Sequence, residues 1–330
     1  MAGTVLLTGA NGSLALGFVE AFLQSYPQHT LVATVRDPSP VTDANTARLE
    51  QLVSRYPGAQ VYIQALDLGK LSSVRSFAEK LSRDVLSKKL PRISAIVCNA
   101  ATLSLEAGQK FTVDNYEATF QVCHLSHYLL VLKLLQRMDT SGRIVMLGSV
   151  THDSNNANPL SSLVAQFPDD IEELVKPRPD PPGLVHDRGF QRYATAKLAN
   201  VTFMDHLNRL LLESPSLSHI TATAMDPGGL PSSRAQTEQK KSTQRLFATI
   251  NFLMPVLKHL TKAFRTTEDA GRDLVALSVG PSFQGKRGYF VGQKQTDAAA
   301  ASKDEGAQNK LWEACWRWAG LVPGETVLQM

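Results

Sequence analysis

Cysteine is scarce: three residues in 330, Cys98, Cys123 and Cys315, lie far apart with no CxxC spacing. Such an odd, scattered set argues against a disulfide framework and a structural zinc site, and it fits a reducing, cytoplasmic setting. Long hydrophobic runs are missing too. The longest apolar-leaning segment, Leu246 to Leu260, is interrupted by Asn251, Pro255 and Lys258 and falls short of the roughly 20 residues of a membrane span, so no integral membrane segment is expected. Met1-Ala2-Gly3 runs straight into a β-branched segment with no basic stretch of signal-peptide type, which reads against secretion. Nor is there a block of one charge. Thirty-four Lys and Arg against 30 Asp and Glu leave +4, and the basic residues are dispersed, so nucleic acid is not an expected partner. No internal repeat is visible.

What is present is a folding composition, with 43% apolar and 19% charged residues. The length would allow two domains, but one large α/β sheet absorbs it, and a single domain over residues 1–330 is expected. Short apolar runs alternate with helix-period stretches, the pattern of βα units feeding a parallel sheet buried on both faces. Strands are expected at Thr4 to Thr8, Thr30 to Val35, Gln60 to Ala65, Ala95 to Cys98, Arg143 to Leu147, Ile220 to Ala224 and Gly288 to Val291. Helices are expected at Leu14 to Ser25, Ala44 to Tyr56, Leu71 to Leu86, Asn115 to Arg137, Tyr193 to Leu212, Thr267 to Val279 and Lys310 to Ala319. The result is a doubly wound α/β fold on a seven-stranded parallel sheet. Two regions break the rhythm. From Thr151 to Arg192 the chain carries Asn155-Asn156-Ala157-Asn158-Pro159 and then Pro177, Pro179, Pro181, Pro182 and Gly183, which predicts a long loop over one end of the sheet. From Gly228 to Thr266 a second irregular region holds the amphipathic Leu246 to Leu260 segment.

The first strand ends in Thr8-Gly9-Ala10-Asn11-Gly12-Ser13-Leu14-Ala15, a glycine turn that opens a helix. Bare backbone N–H groups and the helix dipole favour a pyrophosphate there, the alternative being a purely structural turn. The second strand ends in Val35-Arg36-Asp37, where nucleotide enzymes meet the adenosine ribose. A neutral Val35 followed by Arg36 offers a cation to the 2′-phosphate of NADP; in the alternative, Arg36 is an ordinary exposed arginine and Asp37 holds the ribose. Asp67, before Leu68, either accepts from an adenine amino group or caps the next helix. Tyr193 and Lys197 stand four apart, on one face of a helix. A phenol near its reference pKa of ~10 is a poor acid–base group at neutral pH, and an adjacent cation is expected to lower it. Ser149, closing the fifth strand, sits where ligands of such sheets bind. His124 and His127 lack further ligands nearby, and no metal is expected. Trp312, Trp316 and Trp318 read as a packing stripe, with Cys315 as filler.

In this order the elements resemble the short-chain dehydrogenase/reductase family: Thr8-Gly9-Ala10-Asn11-Gly12, Asp67-Leu68, Asn99-Ala100-Ala101, Ser149, Tyr193 with Lys197, and Pro227-Gly228. The resemblance spans residues 4 to 232 and implies a Rossmann-type single domain. It implies Tyr193 as general acid–base group, Ser149 as the residue holding the substrate oxygen, and Lys197 as holder of the nicotinamide ribose. Cofactor contacts are implied at Thr8, Gly9, Asn11, Gly12, Ser13, Leu14, Arg36, Asp67, Leu68, Asn99, Ala100, Tyr193, Lys197, Pro227, Gly228 and Ser232. Departures from the family pattern are Ser13 and Ala15 for glycines, Ala101 for glycine, and Cys123 for the helix asparagine that supports a water on the lysine. A thiol is a weak donor and acceptor, so the proton relay from Lys197 is expected to be slower or rerouted.

The segment after the sixth strand, about residues 228–266, is where the family places a substrate lid. It offers Leu246, Phe247, Ile250, Phe252, Leu253, Met254, Val256 and Leu257 to a bulky hydrophobic ligand. With Lys240, Lys241, Arg245 and Lys258 it could instead lie on a membrane surface. The insert at about 151–192 is expected on the substrate side. Within the family the chain is most similar to fungal reductases of secondary metabolism, whose substrates are polyketide-, terpenoid- or steroid-like carbonyl compounds. The resulting expectation is an NADPH-dependent reductase of a small hydrophobic carbonyl substrate. Alternatives are a non-redox isomerase, dehydratase or cyclase using bound NADP as scaffold, and a nucleotide-sensing protein. The helices from Asn115 and from Tyr193 carry faces that family members use for pairing, so a homodimer or homotetramer is compatible with this reading.

Overall fold

The computed structural model describes residues 2–156, 160–260 and 264–328. Ala157, Asn158 and Pro159 of the insert fall outside them, as do the side chains of Val256, Leu257 and Lys258. The strands form one sheet, in the order β3-β2-β1-β4-β5-β6-β7-β8. They are β1 (Thr4–Thr8), β2 (Thr30–Val35), β3 (Gln60–Ala65), β4 (Ile93–Cys98), β5 (Met138–Leu147), β6 (Thr221–Asp226), β7 (Gly288–Val291) and β8 (Lys294–Gln295). Every residue of β1, β2 and β6 is buried, as helices on both faces require, whereas the outer strand β3 alternates in exposure. All neighbours are parallel except β8, which turns back on β7. The sheet therefore has eight strands rather than seven. Two residues carry no readable period, and the hairpin turn at Gly292, with φ +57°, is the only local cue to it.

Helices α1 (Ser13–Ser25), α2 (Ala44–Ser54) and α8 (Thr267–Val279) cover one face; α3 (Leu71–Leu86), α5 (Ser126–Leu134), α6 (Val185–Glu213) and α9 (Glu305–Trp318) cover the other. On the first face α1 and α8 touch through glycines. A Cβ on Gly17 would meet the Thr267 carbonyl oxygen at 2.4 Å, and one on Gly271 would meet the Gly17 backbone at 2.3 Å, so only glycine allows the helices to approach this closely.

The helix expected from Asn115 to Arg137 begins at Ala118 and changes its winding along its length. It comprises α4 (Ala118–Phe120), a π-turn at Gln121–Leu125, α5, and a 3₁₀ turn at Leu135–Arg137. Ala118–Arg137 is the one helical run among the described residues that is long and apolar enough to cross a membrane, and 83% of it is buried in this fold. Helix α6 begins eight residues before Tyr193, just past Pro181-Pro182-Gly183, so the insert ends earlier than Arg192. Gly189 lets this added stretch pack, because a Cβ there would lie 2.3 Å from the Ser104 carbonyl oxygen. The region after β6 is helical too: α7 (Lys241–Leu260) carries Pro255 inside it. It leaves and returns at one point, where Arg265 N–H donates to Gly229 and Arg265 pairs with Asp273.

The C-terminal helix α9 closes the second face. Asp304 caps it through the Ala307 N–H, and Trp312 packs on Tyr128 at 5.1 Å, Phe203 at 6.0 Å and His206 at 4.8 Å between ring centroids. The apolar faces of α5 and α6, the ones suited to pairing between copies, are thus covered within the chain.

Candidate functional site

The strand order reverses between β1 and β4, and the carboxyl ends of the parallel strands converge there, which is where ligands of open α/β sheets bind. Gly9 has φ +63°, and a Cβ there would sit 2.9 Å from the Ala100 Cβ, so the turn is bare backbone by necessity. Gly12 is the N-cap of α1 and supplies no side-chain cap, and the first turn holds no acid. The positive end of the helix therefore faces outward, with Ser13 and Leu14 in its first turn.

Thr8 ties this turn to β4. Its hydroxyl accepts the N–H groups of Asn99 and Ala100, both at 3.0 Å, while Asn99 Nδ2 donates back to the Thr8 carbonyl at 2.8 Å. Burial depresses the His127 pKa to about 3, so the ring is neutral. Its Nδ1 donates to the Cys123 carbonyl at 3.2 Å, which makes Nε2 the acceptor for the Thr8 hydroxyl at 2.9 Å. Asn11 reaches across to Asp43 at 2.8 Å and Thr46 at 3.1 Å, anchoring the turn to the loop after β2. In that loop Arg36 is exposed and makes no ion pair among the described residues. The Asp37 carboxylate, by contrast, accepts from Ser39 N–H and the Thr42 hydroxyl and is held below its ordinary pKa by Thr42 first. Asp67 caps no helix: it accepts from Gly69 N–H at 2.9 Å, and Asp114 serves the first turn of α3 through Leu71 N–H. Leu68 lends its carbonyl to Ser126 at 2.6 Å.

On the other side of the switch point, Lys197 is buried on α6 and its Nζ donates to the Leu147 carbonyl at 2.9 Å, two residues before Ser149. Nζ lies 5.4 Å from the centre of the Tyr193 ring. Asn200, one turn further on, donates Nδ2 to the same carbonyl at 3.1 Å, so its Oδ1 must accept from His124 Nδ1 at 2.9 Å. His124 is kept neutral by burial, with its pKa depressed to about 4. Asn200 was not singled out from the sequence, although its i+7 spacing from Tyr193 puts it on the same helix face. The Ser149 hydroxyl accepts from Thr151 N–H at 3.3 Å and the Thr151 hydroxyl at 3.0 Å, which leaves its own proton to be donated elsewhere. His152 fixes the same residue's carbonyl at 2.7 Å and accepts from Ala299 N–H at 3.0 Å. Thr151 and His152 carried no recognisable sequence signal.

The electrostatics correct one expectation. Burial pushes the Tyr193 phenol up, and Cys123 and Asp226 push it the same way, so the chain by itself does not lower it. Burial also lowers Lys197, opposed by the same two acids. Cys123 is fully buried within the π-turn, its thiol raised by burial and donating to the Thr102 carbonyl at 3.2 Å. Gly228 has φ +80° and donates to Asp226 at 2.9 Å, beside Pro227. Ser232 is exposed, and Arg234 N–H donates to the Ser13 hydroxyl at 3.2 Å, so the segment after β6 reaches the first turn of α1. Beyond it, Leu246, Phe252 and Leu253 of α7 are exposed, Phe252 at 82%, while Phe247 and Ile250 are half-buried and Met254 is buried. Among the described residues of the stripe, Leu246, Phe252 and Leu253 thus face outward while Met254 packs inward.

Two family models match: "short chain dehydrogenase" over residues 3–160 and "AcuH dehydrogenase domain" over residues 235–328. The chain is 30% identical to the short-chain dehydrogenase iccH of Talaromyces variabilis, covering 99% of this chain and 98% of that one. Among solved structures, one of an uncharacterised protein from Mycobacterium paratuberculosis aligns with a TM-score of 0.63 at 22% identity, over 96% of this chain and 93% of that one. The NADPH-bound carbonyl reductase from chicken fatty liver aligns with a TM-score of 0.56 at 18% identity, over 90% and 94%.

Proposed function

Because the chain belongs to the short-chain dehydrogenase/reductase family, and so is an oxidoreductase, we propose that it reduces a carbonyl of a bulky hydrophobic compound with NADPH. The single observation that carries the reading is the convergence at the end of β5, where Lys197 is pinned to Leu147, Tyr193 shares its helix face, and Ser149 follows two residues on. NADP is preferred over NAD because Arg36 is unpaired at the tip of β2 while the Asp37 carboxylate is spent within its own loop. The bare turn from Gly9 to Leu14 fits a pyrophosphate, and Asn99, Ala100, Pro227, Gly228 and Ser232 line the path around it. A chicken carbonyl reductase of the same fold binding NADPH supports the same choice. When bound, NADPH supplies the hydride.

The chain's own residues supply the proton and the geometry. Ser149, with its acceptor positions taken by Thr151, donates its hydroxyl proton to the substrate oxygen. Tyr193, held protonated by burial, is in the state needed to give a proton to the alkoxide oxygen that reduction creates. Lys197 places positive charge beside that phenol and would hold the nicotinamide ribose, its position fixed by the Leu147 carbonyl, which Asn200, itself held by His124, also engages. In this way Asn200 and His124 steady the carbonyl that holds the lysine, while the Cys123 thiol is spent on the Thr102 carbonyl. The start of the insert, next to Ser149, and α7 form the substrate side, α7 acting as lid, and the free buried cysteines suit a reducing cytoplasm. The test is to mix protein, NADPH and a panel of hydrophobic ketones and follow loss of the reduced-cofactor absorbance. Product formed without cofactor oxidation would overturn the reading.

A further inference from the structure

We propose that a cavity on the side of α6 away from Tyr193 is a second small-molecule site, suited to an organic ammonium ion with an apolar body. Its volume, about 520 Å³, falls within the ~300–1,000 Å³ of ligand pockets. The insert between Gln166 and Pro181 forms one wall, and α6 forms the other through Arg188, Gln191, Arg192 and Thr195. At 3.6 residues per turn these four positions lie about 100° to 160° around the helix from Tyr193, so the cavity is separate from the site above.

The lining is unbalanced in charge: five carboxylates against three guanidiniums. Asp180 is taken by Arg192, at 2.6 and 3.0 Å, and Glu173 by Arg178 at 2.8 Å. Of the rest, Asp170 caps the 3₁₀ turn at Ile171–Leu174. Asp169 is exposed, and its side chain has no hydrogen bond or ion pair among the described residues. Glu117 is the more telling group. It is 1% exposed, and only one of its oxygens is used, Oε2 accepting from Phe120 N–H at 2.8 Å. Its Oε1 has no hydrogen-bond donor; the nearest cation, Arg192 Nε, lies 3.6 Å away and itself lacks an acceptor. A buried carboxylate oxygen left without a donor is costly, and an N–H group entering the cavity would relieve that cost. Burial also raises the Glu117 pKa, against the opposing pull of the Phe120 N–H, the Arg192 charge and Thr119. Phe120, Leu174 and the prolines of the insert supply the apolar contact for the body of such a ligand. The net negative lining disfavours an anion of the same shape.

Benzylamine is the probe, with benzyl alcohol and benzoate of similar size as controls, titrated calorimetrically into the full-length protein. Benzylamine is expected to bind saturably, and the two controls at least tenfold more weakly. Asp169→Asn and Glu117→Gln should each weaken benzylamine at least fivefold. Asp169 is exposed, so its variant folds and decides the matter even if Glu117→Gln does not. Saturating NADPH and Tyr193→Phe should both leave benzylamine affinity unchanged, which separates failure of this site from failure of the proposed reaction. Absence of saturable binding, equal binding of benzoate, or unchanged affinity in Asp169→Asn would each overturn the proposal.

Discussion

The two flanks of the strand-end crevice are held by different means. On the β1 and β4 side, short hydrogen bonds lace the glycine turn to its neighbours: Thr8 to Asn99, Ala100 and His127, and Asn11 to Asp43. On the β5 and β6 side, Lys197 and Asn200 are locked to one carbonyl, but the walls beyond are a proline-rich insert and a helix that leaves Leu246, Phe252 and Leu253 exposed. A nucleotide site takes one invariant ligand and gains from rigidity. A site for a bulky hydrophobic molecule has to open, and the parts that open are drawn from segments with few buried contacts.

Substitutions can break this contrast, beginning with the largest effect. Tyr193→Phe should cost about 10²-fold or more in kcat, the usual worth of a positioned proton donor, while NADPH affinity measured by fluorescence titration changes less than twofold. Trp312→Ala removes an aromatic ring buried against Tyr128, Phe203 and His206. It should cost about 3–5 kcal/mol of stability in denaturant unfolding, whereas Phe252→Ala on α7 should stay within about 0.5 kcal/mol. If the two came out equal, α7 would have to be packed against the fold rather than exposed. Gly9→Ala introduces a Cβ at φ +63° against Ala100 and should cost about 1–3 kcal/mol, with NADPH binding weakened in the same variant. Arg36→Leu should weaken NADP about tenfold, through loss of a charge-assisted contact, and leave NAD unchanged. Equal loss for both would remove the phosphate reading.

The acid limb sharpens the comparison further. His124 and His127 have folded pKa values of about 4 and about 3, below the ordinary 6.5, so the folded state binds fewer protons than the unfolded one. Their contribution is complete above pH 6.5 and is lost as pH falls toward those folded values. Thermal unfolding scans should show the melting temperature dropping over that window, and His127→Gln should flatten the drop. Since His127 bears on Thr8 and His124 on Asn200, both flanks of the crevice are expected to loosen together.

Much of the frame was legible because β-branched runs and helical periods carry it. The limits of β1, β2, β3, β7, α3 and α8 fall where the pattern puts them. What was not legible depended on long-range contact. The π-turn around Cys123 leaves no mark in a helical period, and the early start of α6 depends on Gly189 fitting against Ser104. Helix α7 was hidden by Pro255, which marks a break locally but is carried inside the helix here. At the site, spacing brought Tyr193 and Lys197 together. The direction of the phenol's acidity was misjudged because a pair of residues says nothing about burial, which here outweighs the neighbouring charge. Asn200 was within reach of the same spacing argument, whereas Thr151 and His152 act through the fold of a loop.

The reaction itself is tested most directly by isotope transfer. With a hydrophobic ketone and NADPH carrying deuterium at the transferable position of its nicotinamide ring, the wild-type protein should give an alcohol labelled at the former carbonyl carbon, and Tyr193→Phe almost none. Unlabelled product from the wild type, or labelled product formed at the same rate by Tyr193→Phe, would contradict the account.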